Sequence, residues 1–233
     1  MDRAPAGGTD YAEYLLIDDL LDLQRPLTPG AHDELLFIVV HQSYELWFKL
    51  ILHTLTEVVA ALGEGRSHAA VPGLRRVLAI ERLLLEHLNV LETMGPERFM
   101  EFRDPLAPAS GFQSRQFREI ETVSGGALWE AFLGAGRSLG LHLPADDEDA
   151  RVGSLAELYR DHAEPERAAL HQVAELLVDH DETIARWRHH HTLMAAREIG
   201  TRPGTGGSHG VQYLQSTLGK RFFADLWAVR GVL

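Results

Sequence analysis

The run from His32 to Leu62 reads as one uninterrupted helix, about 45 Å long at about 1.5 Å per residue. Asp33 and Glu34 suit its N-terminus and Gly63 its C-terminal cap. Leu35, Val39, Leu46, Leu50 and Ile51 cover one flank. Phe37, His41, Tyr44 and Phe48 recur at helical spacing on another. A helix apolar nearly all round belongs at the centre of a fold. Its polar residues then need partners or a task, and His41, between Phe37 and Glu45, is the first to ask about.

Around that helix the periodicity stays helical and no strand pattern emerges, so the expected fold class is all-α, a helical bundle in one domain over 1–233. Residues 1–10 are expected to be disordered, with Thr9 or Asp10 as N-cap of an amphipathic helix over Tyr11–Gln24. Its apolar stripe is Leu15, Leu16, Leu20, Leu21 and Leu23, and Pro26 and Pro29 end it. Another helix is expected from about Val71 to Met94. Pro105, Pro108 and Gly111 break periodicity, so Phe99–Ser114 reads as an ordered loop carrying Phe99, Phe102, Arg103 and Phe112. A helix resumes over Gln113–Glu121. Ser124–Gly126 and the acidic Pro144–Ala150 read as flexible linkers around a modest helix. Ser154–Tyr159 leads into a long helix from Pro165 to Ile199, and a last helix or helix pair follows the Gly-rich segment.

Composition narrows the chemistry. There are no Cys residues, which excludes disulfides, Cys-ligated zinc or iron–sulfur clusters and thiolate-ligated haem. A net charge of −12 argues against nucleic acid or an anionic membrane surface as partner. The N-terminus lacks a signal-peptide pattern, and no apolar run reaches the roughly 20 residues of a bilayer span. A cytoplasmic location is the expectation.

The residues that carry chemistry concentrate between Arg186 and Gly210. Successive helical residues point about 100° apart, so His189, His190 and His191 cannot chelate one ion together. They are either one axial ligand with two bystanders or a solvated patch. In Gly204–Gly210, five of seven residues are Gly or Ser. The segment is neither a Walker loop nor a dinucleotide fingerprint, for want of a Gly-Lys-Ser/Thr and of a preceding strand. It is a flexible linker or a close backbone approach to a bound group, with Thr205 able to donate or accept. His41 is a satisfied core histidine or a hydrogen-bonding group at the end of an aromatic pocket. Arg103 is a surface arginine or a bidentate carboxylate clamp.

Taken together, HDELLFIVVHQSYELWFKL, FRDPLAPASGFQSRQFREIE and RHHHTLMAAREIGTRPGTGGSHGVQYLQ resemble the tryptophan 2,3-dioxygenase family of haem enzymes. YAEYLLIDDLLDLQ near the start and RFFADLWAVR near the end are similar to it too. The resemblance implies an all-helical protein with one haem b per subunit between long helices and O₂ as co-substrate. Its substrate would be an indole amino acid, L-tryptophan cleaved at C2–C3 to N-formylkynurenine. It further implies that His191 is the axial iron ligand, and that Phe37 and His41 are the pocket aromatic and the histidine meeting the indole N–H. Arg103 would clamp the carboxylate, and Phe99, Phe102 and Leu106 would wall the substrate. Ser110 and Gly111 would lie on the distal, cofactor-binding side, and Thr205 would meet the ammonium and carboxylate. Tyr11, Tyr14 and Leu15 match a segment that reaches a neighbouring subunit's pocket, so a homotetramer is implied.

Three departures stand out. Phe99 occupies the place of a family tyrosine, a lost donor worth about 1 kcal/mol. His209 replaces a small residue, which would set a titratable ring beside the amino-acid end of the pocket. The region after Glu121 is shorter than usual. With these departures the expectation is dioxygenation, the alternative being a related monooxygenase that turns a tryptophan derivative into a 2-oxindole.

Overall fold

The computed structural model describes residues 10–233, apart from the side chain of Phe112. The expectations for residues 1–9, disorder and a Thr9 cap, lie outside the described residues. Among those described there is no strand, in keeping with the all-α expectation.

Three long helices carry the architecture: α3 (Glu34–Gly63), α4 (Ser67–Leu91) and α9 (Pro165–Ile199). Helix α4 packs along both α3 and α9. Ile51 and Leu55 of α3, Leu74, Val77 and Leu88 of α4, and Leu170, Val173 and Leu177 of α9 are buried where they meet. Each buried Leu or Ile contributes about 1.5–3 kcal/mol relative to exposure. By length and composition α3 is apolar enough to cross a membrane. Here one side of it packs against α4, α6 (Arg115–Val123) and α7 (Trp129–Ser138), while Leu35, Val39 and Leu46 stay exposed, so the helix is not buried all round as its composition suggests.

Four sequence expectations are corrected. The first helix is two short ones, α1 (Tyr11–Leu15) and α2 (Ile17–Leu21), broken at Leu16 by a left-handed backbone of φ 51°. Its leucine stripe faces outward, with Leu15, Leu16, Leu21 and Leu23 exposed, so no core recruits it into one helix. Second, much of the expected 99–114 loop is α5 (Pro96–Leu106), with Pro96 in the first turn, where proline's missing N–H costs nothing. Pro105 falls in its last turn, so the proline ends the helix rather than preventing it. Third, Ser124–Gly126 is no linker: Ser124–Leu128 forms a π-helical turn that joins α6 to α7. Fourth, the acidic stretch is only partly a linker. Asp147 caps α8 (Glu148–Arg160) by accepting from Ala150 N–H, so that helix starts six residues earlier than expected. Helix α4 likewise begins at Ser67, running through Pro72, and ends at Leu91.

The chain closes with α10 (Val211–Ser216) and α11 (Ala224–Val229). The buried carboxylate of Asp181 on α9 anchors this return, accepting from the Phe222 and Phe223 amides and from Trp227 Nε1 at 3.0–3.3 Å. Arg151 on α8 meets Asp225 at 2.6 Å. Deeper still, His180 of α9 sits between Ser124 of the π-turn, 2.9 Å away, and Glu81 of α4, 2.6 Å away. The second contact is an ion pair by distance but poorly aligned for a linear hydrogen bond. All three side chains are buried.

Candidate active site

Between α3, α5 and the C-terminal half of α9 lies a cavity of about 500 Å³, within the size range of ligand and cofactor sites. Each wall follows from helical spacing. Helix α9 presents Trp187, His191, Met194, Ala195 and Glu198 on one face, each three, four or seven residues from His191. Helix α3 presents Phe37, His41, Tyr44 and Phe48 in the same way. Phe99 and Leu106 come from α5, Ser110 and Gly111 from the segment that follows it, and Gly204, Thr205, Ser208 and Gly210 from the Gly-rich loop.

Of the three adjacent histidines the fold brings only His191 to this cavity. His189 and His190 face a shallower surface depression of about 580 Å³ on another side of α9, and His190 pairs with Glu92 at 3.2 Å. His191 lies flat on Trp187, one turn back, with ring centroids 5.0 Å apart and planes 5° from parallel. It makes no hydrogen bond with any described residue. Burial, reinforced by His41 and His190, pulls its pKa down to about 4, so the imidazole is neutral with an available lone pair. Trp187 is itself fixed: its Nε1 donates to the Tyr44 hydroxyl at 3.2 Å, and that hydroxyl donates to the Leu84 carbonyl at 2.5 Å. Burial raises the Tyr44 pKa to about 12, so it remains a phenol. Among the described residues no three His, Asp or Glu side chains are grouped to hold a bare metal ion.

His41 lines the same cavity from α3. Its Nδ1 is 2.7 Å from the Phe37 carbonyl, which can only accept. Nδ1 therefore carries the proton, and Nε2 is left as an acceptor. Burial lowers the pKa of this ring, against the Phe37 carbonyl and Glu45, which raise it. The neutral form prevails near pH 7.

Phe37 packs on His41 with centroids 4.0 Å apart and faces Phe99 at 6.0 Å. Phe102 differs from the expectation. It is fully buried behind these two rings, 5.6 Å from Phe37 and 5.4 Å from Phe99, and is core rather than wall. Arg103 is not on the wall either. Its Nη2 donates to the Pro203 carbonyl at 2.7 Å, beside Gly204, and its Nε is a buried donor without an acceptor. Thr205 donates to the Ala109 carbonyl at 2.7 Å, which leaves its lone pairs for a ligand. Glycine lets the loop close this tightly. A Cβ at Gly206 would come within 2.7 Å of Ser110 Cβ, and one at Gly210, where φ is 58°, within 2.6 Å of the Arg202 carbonyl.

The expectation for His209 is not met: it is exposed and turns away from the wall, although Ser208 and Gly210 beside it line the cavity. Tyr11, Tyr14 and Leu15, expected at a neighbouring subunit's pocket rather than their own, are 73%, 75% and 42% exposed on α1 and lie outside the cavity of their own chain. Sequence reasoning also passed over Trp187, Met194 and Glu198, which the periodicity of α9 places four before and three and seven after His191. At another part of the wall Arg188 pairs with Glu121 at 2.5 Å and passes over Phe222 at 5.3 Å.

Residues 1–128 and 148–233 match the family model described as tryptophan 2,3-dioxygenase. The unmatched residues, 129–147, hold α7 and the connection after it. A tryptophan 2,3-dioxygenase of Nocardioides sp. is 42% identical over 255 positions, covering 96% of this chain and 94% of that protein. One from Anaeromyxobacter dehalogenans is 40% identical, covering 99% and 98%. One from Herpetosiphon aurantiacus is 40% identical, covering 96% and 98%. These alignments span 255 to 266 positions, more than the 233 residues of this chain, so the relatives carry residues that it lacks.

Proposed function

The chain belongs to the tryptophan 2,3-dioxygenase family, an enzyme family, and from that premise we propose that it oxygenates the indole ring of L-tryptophan to N-formylkynurenine. The observation that carries the reading is the pair of neutral imidazoles in one cavity, His191 and His41. The first is an orphan ligand and the second a directed acceptor.

The residues fit haem b, one per subunit. His191 is a buried, unprotonated nitrogen ligand on a rigid helix, the walls are largely apolar, and the chain has no thiolate to compete. When bound, the haem supplies the chemistry of O₂, the co-substrate.

The protein's part is orientation. Phe37, Phe99 and Leu106 take the indole ring out of water. His41 Nε2 accepts the indole N–H and so fixes which edge of the ring faces the cavity centre. Arg103, which we assign to the substrate carboxylate, lies behind the loop with its Nη2 tied to Pro203 and its Nε–H buried without an acceptor, and would have to turn toward the cavity to make that contact. Thr205 accepts from the ammonium, and the Gly-rich loop covers this end.

A homotetramer is part of the reading. It is supported by the apolar surface of Tyr11, Tyr14 and Leu15 and by exposed Leu35, Val39 and Leu46 on α3. The cytoplasm is the compartment we assign. The test is anaerobic reduction of the haem-loaded protein, addition of L-tryptophan and O₂, and the product's mass. A gain of two oxygen atoms agrees with the proposal. A gain of one would replace it with 2-oxindole formation.

A further inference from the structure

Behind the cavity wall lies a buried polar set that the proposed chemistry does not use: Glu81 of α4, His180 of α9 and Ser124 at the start of the π-turn. None of the three lines the cavity. Apolar residues of similar volume often serve stability as well as a buried ionic set does, or better. The use of polar groups here answers a need that packing does not meet, which is one fixed geometry.

Two routes lead from His180 to the wall. The first runs through the turn. Ser124 Oγ is 2.9 Å from His180 Nε2, donating to a neutral ring or accepting from a protonated one. The Ser124 amide donates to the carbonyls of Ile120 and Glu121, and the Glu121 carboxylate accepts from Arg188 at 2.5 Å. The second route runs through Phe222. Its ring stacks on His180 with centroids 5.7 Å apart and planes 22° from parallel, and the Arg188 guanidinium lies over the same ring at 5.3 Å. The Phe222 backbone is pinned as well, its amide donating to Asp181 at 3.0 Å. Glu121 and Arg188 do line the cavity, and Arg188 is a buried cation. We infer that His180 is a positioning residue: braced against Glu81, it holds Ser124 and Phe222, and through them fixes the Glu121–Arg188 pair on the cavity wall. The consequence for binding rests on the haem reading above; the coupling itself does not.

Double-mutant cycles test the assignment, since substitutions at separate sites act additively unless something between them couples them. Ser124→Ala and His180→Gln are each combined with Arg188→Met. Leu155→Ala, fully buried in α8 and off the cavity wall, controls for lost stability alone. Haemin affinity is measured by titration of the Soret band, and urea unfolding is followed on the same variants. Ser124→Ala should weaken haemin about fivefold beside native Arg188 and less than about twofold in the Arg188→Met background. Its unfolding loss should likewise be smaller in that background. His180→Gln should follow the same pattern, and if it does not fold, Ser124→Ala decides alone. Leu155→Ala should unfold at lower urea yet bind haemin within about twofold of wild type. Equal losses in both backgrounds, in either measurement, would overturn the assignment while the haem reading stands. So would a Leu155→Ala variant that weakens haemin as much as Ser124→Ala does. Wild-type protein that takes up no haemin would overturn the haem reading, and the unfolding cycle would then decide the assignment by itself.

Discussion

The imidazole of His191 lies parallel to the indole of Trp187, with centroids 5.0 Å apart and planes within 5°. A ligand histidine usually has its orientation set by a hydrogen bond to its second nitrogen. For His191, in the haem-binding role proposed for it, an aromatic face one turn away, tied to α3 and α4 through Tyr44, would do the orienting.

Trp187→Leu should therefore loosen haem without removing its ligand. The expected loss is roughly 10–100-fold in haem affinity, the range for outer-shell support of a metal ligand. Transfer of haem to a scavenging globin measures it. His191→Ala should lose haem altogether, and wild-type retention in Trp187→Leu would deny the ring any positioning role.

His41 gives the pH dependence a sign. Burial holds its pKa below the ordinary 6.5, and only the neutral ring can accept the indole N–H. Log kcat/KM for L-tryptophan should be flat through pH 7 and fall in acid, with a midpoint below 6.5. His41→Ala should cut kcat/KM about fivefold to tenfold, as for one hydrogen bond of about 1–1.5 kcal/mol. The variant should also lose that acid limb. An unchanged limb would place the titrating group elsewhere.

Phe99 lines the cavity and carries no hydroxyl. Phe99→Tyr would add a donor toward the amino-acid end. It should tighten L-tryptophan about fivefold, or about 1 kcal/mol, and leave indole itself unchanged. Equal gains for both ligands, measured by equilibrium titration, would mean better packing rather than a carboxylate contact.

The buried Glu81–His180 contact makes a stability prediction. Removing one partner strands the other, so Glu81→Ala should cost about 3–5 kcal/mol in urea unfolding. The exposed pair Arg25–Asp22, with both side chains more than three-quarters accessible, serves as control. Asp22→Ala should change stability little, since such surface pairs contribute at most about 1 kcal/mol. A comparable loss in both variants would mean that burial is not what matters at Glu81.

Much of this was legible in the sequence where one physical signal dominates. Apolar periodicity over α3 and α9 needs no tertiary context, and their spans were read to within two residues. Where two signals compete, reading failed. Pro105 and Pro108 announce a break but not on which side of α5 it falls, and Leu15–Leu23 has a helical stripe with nothing in its own chain to bury it. The site followed the same divide. Helical geometry alone denied a three-histidine chelate, but choosing His191 over His189 and His190 took either family resemblance or the direction of α9. Glu198 gave no signal, because a glutamate near a helix end is ordinary until its burial is known.

The π-turn at Ser124–Leu128 has a consequence of a different kind. A π-turn holds one residue more than an α-turn, so it offsets the angular phase of α7 from that of α6 by about 100°. Glu121, upstream, is aimed at Arg188 and the cavity; Phe132, downstream, is aimed at the core. Losing a single residue here would bring the two helices back into phase and turn one of those side chains out of place. Chain length in this segment thus carries information as surely as residue identity does, and a one-codon deletion would be felt at a cavity that the deleted residue never touches.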